Sequence, residues 1–313
     1  MRTSTVLSLV AALALVLGGF GMVHSLGQEQ DEDVRGAFLT TRPKPVEKSS
    51  PSATTSRPSR RRPRTTQAKA SGNASVAIGS NSSVAVGAKT QLKTEGPTAD
   101  KAKPQKLGLG LTLFMRDSNG LSVRADPSRV FRSGDRVRVL LETNTDGYLY
   151  IFNTTDGGKP VMIYPSAELD EGGNYIQSHV PFEIPSSTAS EERLRWFTFD
   201  KYAGAERLFF VFTRDALPLI PTEDDLINYC KQDANRCPIK PETDVWVKIQ
   251  AELSAPVQVA KSERYGKAQT SAEVDAGTRG LGLSKEDPEP TLVMMRASTD
   301  ASVLVAMLEL VHK

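Results

Sequence analysis

Cysteine, histidine and tryptophan are scarce in this chain of 313 residues, which contains two Cys, three His and two Trp. So few cysteines exclude a dense disulfide scaffold and a cysteine-rich zinc module. The shortage of histidine leaves nucleophilic catalysis without an evident general base, because His24 lies in the N-terminal segment and His312 is next to the last residue. We interpret the remaining one, His179, as a surface or strand-edge residue.

Aromatic residues are almost absent between residues 28 and 106, where Phe38 is the single example. This segment is rich in Pro, Ser, Thr, Lys and Arg, and its 15 Lys/Arg against 7 Asp/Glu give it a net charge of +8. Such a composition cannot bury a core, so it predicts a long disordered basic linker, or tether, over residues 28–106.

A cluster of arginines in this linker suggests contact with an anionic surface such as lipid headgroups or polysaccharide. The cluster consists of Arg57, Arg60, Arg61, Arg62 and Arg64. A solvated linker is the simpler interpretation, and the absence of interleaved aromatic rings argues against a nucleic-acid partner. Two short blocks, residues 75–79 and 83–87, resemble the repeats of trimeric adhesin heads, but two copies are too few to form a repeat fold.

Long apolar runs are confined to the N-terminus, where Arg2 precedes an apolar stretch over residues 6–17 that three glycines then interrupt. This pattern predicts a signal peptide over residues 1–27, with cleavage near Leu26 or Gln28. The stretch is short for a membrane span, which needs about 20 residues, although an uncleaved anchor stays open. We therefore predict an exported protein, periplasmic or extracellular, that is soluble or peripherally associated with the envelope and has no membrane span after cleavage.

From residue 107 onward the chain alternates between apolar and polar residues and carries turn residues every eight to twelve positions. Residues 107–217 predict about nine short strands, and hence an all-β domain, either an antiparallel β-sandwich or a barrel. In the strand over 136–143, we expect Val137, Val139 and Leu141 to face inward. Its alternate residues Arg136, Arg138 and Glu142 are expected to face solvent. The strand at 148–153 is apolar on both faces, which predicts a buried position within a sheet.

The C-terminal third follows a different pattern. Residues 218–253 predict a small helical appendage, in which residues 241–253 fit either a helix or a strand. We expect a loop over 254–290, and strands over 291–313 that return to the sandwich. Cys230 and Cys237, seven residues apart, are expected to form a disulfide in an oxidising compartment.

None of the motifs associated with catalysis or cofactors is complete. No Gly-x-Ser-x-Gly sequence occurs, and Gly108-Leu109-Gly110 lacks the remaining residues of a phosphate-binding loop. Asp and Asn residues in glycine-rich turns, such as Asn144, Asp146 and Asp156, suit calcium, but turns require the same residues in any case. We therefore predict no catalytic residues, no metal ligands and no cofactor.

Several sequence strings in this region resemble a known bacterial family, domain of unknown function 4384 (DUF4384), over about residues 107–217. They run from Phe131-Arg132-Ser133-Gly134-Asp135 through Asp146-Gly147-Tyr148 to Trp196-Phe197-Thr198-Phe199-Asp200. The resemblance implies an exported or envelope protein, and it supplies no catalytic residue. We expect a non-catalytic binding or scaffold domain whose partner is an envelope protein or polysaccharide. An envelope hydrolase with a carboxylate-based site and an adhesin or matrix component are the alternatives.

Overall fold

The computed structural model describes residues 23–44, 105–168 and 172–313. Most of the predicted signal peptide, and the part of the linker with the five clustered arginines and the two repeat blocks, lie outside these ranges. Within them, no helix combines the length and the apolar character needed to cross a membrane.

Two sheets form an antiparallel β-sandwich, which confirms the predicted fold class. The strands are β1 (Gly108–Arg116), β2 (Ser122–Arg124), β3 (Val130–Phe131), β4 (Arg136–Thr143), β5 (Gly147–Thr155), β6 (Val161–Tyr164), β7 (Tyr175–Ile176), β8 (Phe182–Ile184), β9 (Phe197–Thr198), β10 (Gly204–Thr213), β11 (Val257–Lys261), β12 (Leu292–Arg296) and β13 (Val303–His312).

The first sheet has the order β11-β12-β1-β4-β8, with β2 also paired to β1 and β9 to β4. The second has the order β3-β13-β10-β5-β6, with β7 paired to β5. The described pairings are antiparallel except for that of β3 with β13. Because β13 lies beside β10 inside the second sheet, the sandwich needs the C-terminal strands and extends beyond residue 217.

The core lies between the sheets and is built from the inward row of each strand. On β5, Leu149 and Ile151 belong to this core, whereas Tyr150 and Phe152 point to the opposite face. All four side chains are buried, so the prediction of a strand covered on both faces is confirmed. Apolar residues at consecutive positions of β5 are buried on both faces because successive side chains of a strand point to opposite sides of the sheet.

Two helices, α2 (Glu223–Gln232) and α3 (Thr243–Glu252), cover the outer face of the second sheet. The helical alternative for residues 241–253 is therefore the one that the fold adopts: Val245 and Ile249, four residues apart, both face the sheet. The structure joins Cys230 of α2 to Cys237 by a disulfide, with their Cα atoms 5.5 Å apart.

The outer face of the first sheet is covered as well, and here the sequence prediction is wrong for residues 31–44. Instead of belonging to a linker, residues 31–39 form the second half of helix α1 (Val23–Leu39), and residues 40–44 follow it. The buried Val34 and Phe38 of this helix pack on Ala260, Val293 and Met295. Two apolar residues spaced by four provide a narrow contact face. Their partners lie more than 200 residues away, so local composition cannot reveal the contact.

The expected loop over 254–290 is also wrong in part, because it contains β11 and helix α4 (Ser271–Arg279). Thr270 and Glu273 form a reciprocal capping box at the start of α4, and Gly280 adopts a left-handed conformation at its end. These are ordinary helix boundary signals that sequence analysis can recognise. Strand β11 completes the edge of the first sheet against β12.

Candidate functional site

A cavity of about 260 Å³ opens between the two sheets at one end of the sandwich. At this end β5 and β13 finish and β10 begins, while the first sheet contributes the start of β4 and the two-residue strand β9. Apolar walls come from both sheets. They include Val137, Val139, Ile163, Phe199, Leu208 and Leu310.

Polar residues gather at the same end because the inward rows of three neighbouring strands change from apolar to polar there. On β10, Glu206 precedes Leu208 and Phe210 in the inward row. Strand β5 ends its inward row with Asn153 and Thr155, and β13 ends its own with His312. Antiparallel pairing sets Glu206 directly opposite Thr155, so these side chains meet.

Glu206 is the centre of this polar cluster. Asn153 Nδ2 donates to its carboxylate at 2.7 Å, and the Thr155 hydroxyl donates to both carboxylate oxygens at 3.0 and 3.1 Å. His312 Nε2 lies 3.9 Å from Glu206 Oε1. Asp200, an exposed residue, adds a second carboxylate to the lining.

Two buried polar atoms of this cluster have no hydrogen-bond partner among the described residues. They are the Asn153 side-chain oxygen and Nδ1 of His312. Leaving a buried polar atom unpaired costs about 1–3 kcal/mol, so such atoms call for a functional explanation. The cavity therefore combines apolar walls, a fixed carboxylate and unpaired polar atoms, which are the ingredients of a small-molecule binding site.

A second polar cluster lies on the outer face of β4, where the sequence predicted solvent. Glu142 and His179 are both buried, so the interpretation of His179 as a surface residue and of Glu142 as solvent-facing is wrong. Arg42 donates to the two Glu142 oxygens from Nε at 2.8 Å and from Nη2 at 2.7 Å, and His179 Nδ1 lies 2.7 Å from Glu142 Oε1. The face assignment is correct, but the segment at 31–44 covers this face.

The side chains of Thr41, His179 and Glu142 are hydrogen-bonded in the order of a hydroxyl–histidine–carboxylate triad, with Thr41 Oγ1 2.7 Å from His179 Nε2. However, the Thr41 hydroxyl donates to the carbonyl of Phe38 at 2.6 Å. A hydroxyl that gives its proton to a carbonyl is not being activated by the imidazole, as a nucleophile must be. The cluster therefore has a structural role, in which it binds residues 41 and 42 to the outer face of the sheet.

The carboxyl of Glu142 is held in its charged form. Burial alone would raise its pKa, but hydrogen bonds from His179 and from Arg42 outweigh that effect and lower the pKa below its ordinary value of 4.5. A carboxyl with a lowered folded-state pKa stabilises the protein fully above its unfolded-state pKa, and the contribution is lost as the pH falls through the folded-state value.

A pH-dependent prediction follows for Glu142→Gln. We expect this variant to be less stable than the wild type at neutral pH, because Arg42 loses a charged partner. The difference in unfolding free energy should shrink as the pH falls below the unfolded-state pKa of glutamate, because the unfolded wild-type chain then binds a proton that its folded state resists. Denaturant melts from about pH 7 to about pH 3 would measure it. A difference that stays constant over this range would contradict the assignment.

Arg138, also expected to face solvent, is buried on the same outer face. Its guanidinium lies 4.0 Å from the ring centre of Trp196, donates to the carbonyl of Arg195, and is 3.8 Å from Glu183. Burial lowers the pKa of Arg138, and Glu183 opposes that shift. The prediction that Arg138 faces solvent is wrong because residues 192–196 cover its side chain.

We accordingly expect Arg138→Ala to destabilise the protein by about 1–3 kcal/mol, the cost of losing buried hydrogen bonds to a charged group. The loss is moderate because Glu183 keeps a hydrogen bond of 2.8 Å from Gln269. Arg136→Ala, two residues earlier and exposed, should change the unfolding free energy by no more than about 0.5 kcal/mol. Denaturant melts of both variants test the contrast, and equal effects would contradict it.

Sequence reasoning missed Glu206 and His312, although a signal for both exists. On β10 and on β13, a titratable residue occupies a position in the inward-facing row, which is otherwise apolar. Strand alternation alone therefore places Glu206 and His312 on the inner face of the sheet. By contrast, Asp146, a turn residue considered for calcium, accepts hydrogen bonds from the Tyr175 hydroxyl and the Ser178 amide. Within the described ranges, no group of three or more metal-binding side chains occurs.

A protein-family match covers the central part of the chain. Residues 130–216 match the family described as Domain of unknown function (DUF4384), which confirms the resemblance. The matched range runs from β3 to just beyond β10, and it includes Asn153, Thr155 and Glu206 but not His312. No curated protein and no solved structure matches the chain.

Proposed function

We propose that this chain, whose residues 130–216 match the DUF4384 family, is an exported envelope protein that binds a small ligand without transforming it. The inter-sheet cavity is the observation that carries the proposal. Its volume of about 260 Å³ lies just below the roughly 300–1,000 Å³ typical of drug-sized sites, so it suits a small molecule.

The contacts of Glu206 support binding rather than catalysis. Its carboxylate accepts hydrogen bonds from Asn153 and Thr155, which hold both of its oxygens in a fixed orientation. An acceptor oriented in this way suits the recognition of a ligand that donates hydrogen bonds. The alternative, a carboxylate hydrolase using Glu206 with Asp200, would be recognised because the bound molecule would be consumed.

The export half of the proposal rests on the apolar N-terminal pattern and on the location of the folded part. Cleavage near Leu26 or Gln28 would leave the buried contacts of Val34, Phe38 and Arg42 intact. N-terminal sequencing of the protein recovered outside the cytoplasm tests this. Recovery of a chain that still begins at Met1 in the membrane fraction would indicate an anchor instead.

A neutral fluorescent probe, N-phenyl-1-naphthylamine, tests the binding half. We expect saturable binding at one site, with enhanced fluorescence. Ile163→Phe, which places a larger side chain into the cavity, should weaken the affinity about tenfold or more, since the added volume removes space that the probe would occupy. Val247→Phe on α3, 56% exposed, is the matched control. Absence of binding, or equal affinity in Ile163→Phe and wild type, would overturn the proposal.

A further inference from the structure

The charge of the cavity lining restricts the ligand. Glu206 and Asp200 are acidic, and none of the described residues that line the cavity is Lys or Arg. The neighbouring Arg207 points to the other face of β10 and pairs with Glu309 at 2.6 Å. A ligand carrying an anionic group would therefore meet like charge, whereas a cationic group would be attracted.

The polar groups that Glu206 and Asn153 offer to the cavity are hydrogen-bond acceptors, so they require a ligand that donates hydrogen bonds. Glu206 accepts only, and the unpaired side-chain oxygen of Asn153 is also an acceptor. The Asn153 amide nitrogen is already used on Glu206 at 2.7 Å, which fixes the amide so that its oxygen remains available. An ammonium group offers three donors in a compact charge, so one group can satisfy both acceptors.

The rest of the lining fits an apolar body attached to that group. Val139, Leu208 and Leu310 form aliphatic walls, and the ring of Phe199 lies beside His312, with ring centres 5.0 Å apart. Aromatic faces also attract cations. The buried His312 adds its imidazole edge to this wall, with Nε2 3.9 Å from Glu206 Oε1.

We propose that the ligand of this cavity is a small amphipathic primary amine, bound with its ammonium group at Glu206 and Asn153 and its apolar chain between the sheets. The inference rests on the proposed binding function and makes it specific. In this assignment Glu206 selects for a positively charged ligand, and the aliphatic walls bind the apolar chain of that ligand.

Displacement of N-phenyl-1-naphthylamine by three molecules of equal chain length, octylamine, octanol and octanoate, tests the inference. We expect octylamine to displace the probe at the lowest concentration and octanoate at the highest. In Glu206→Gln, the affinity for octylamine should fall about 10- to 100-fold, the worth of a hydrogen bond to a charged group. The affinity for the neutral probe should remain, which shows that the variant is folded.

Glu309→Gln is the matched control, because it removes an exposed carboxylate that lies on the outer face beside Arg207. This variant should keep the preference for octylamine. If the neutral probe binds the cavity but the three molecules compete equally, or if Glu206→Gln retains the preference, the amine assignment is overturned while the binding function stands. Failure of the probe to bind at all would instead overturn the proposed function.

Discussion

Replacing Arg42 with alanine is expected to lower the free energy of unfolding by about 3–5 kcal/mol, the usual cost of breaking a buried ion pair. The Arg42 side chain is fully buried and forms two hydrogen bonds with Glu142. It also donates to the backbone carbonyls of Ser284, Asp287 and Pro288. Alanine would leave the buried Glu142 carboxylate with His179 as its remaining hydrogen-bond partner among the described residues.

Denaturant melts of the mature chain measure this effect, with Lys44→Ala as the control. Lys44 lies two residues further on and is exposed, so its removal should change the unfolding free energy by no more than about 0.5 kcal/mol. If both variants are equally stable, residues 31–44 do not belong to the folded unit, and the linker begins at residue 28 as the composition alone predicts.

Phe152→Ala is expected to be similarly damaging, with a loss of about 3–5 kcal/mol in unfolding free energy. The ring is completely buried on the outer face of β5 and meets Trp246 of α3 edge to face, with ring centres 5.8 Å apart. Deletion of the ring leaves a cavity between the sheet and the helices. Ile151→Ala, on the inner face, should cost about 2–5 kcal/mol.

Met307→Ala is the matched control for Phe152→Ala. Met307 belongs to β13 of the same sheet, but its side chain is 45% exposed, so its truncation should change the stability by no more than about 0.5 kcal/mol. A small effect of Phe152→Ala together with a large effect of Ile151→Ala would mean that the helical layer is not packed on the sheet.

Local patterns carry most of the information about the strands. Alternation alone places Leu149 and Ile151 on one face and Tyr150 and Phe152 on the other, because the side-chain period of a strand is two. Alternation does not show, however, which other elements cover each face of the sheet. Arg138 and Glu142 were assigned to the correct face, but the elements that bury them come from residues remote in the sequence.

The candidate site divides in the same way. The inward positions of Glu206 and His312 follow from strand alternation and could be read from the sequence. The cavity itself could not, because it depends on the short strands β6 and β9 and on how far apart the sheets lie at that end. Strand length and sheet spacing are set by tertiary packing, on which residue order gives little direct information.

The crystal structure of the protein soaked with octylamine is the most direct test of the central claim, which is that the inter-sheet cavity is the ligand site. We expect electron density for the alkyl chain between Val139 and Leu208, with the nitrogen within hydrogen-bonding distance of Glu206 and the Asn153 side-chain oxygen. Density for the amine only on another surface, such as the apolar groove beside Leu219 and Ile249, with the cavity free of it, would contradict the claim.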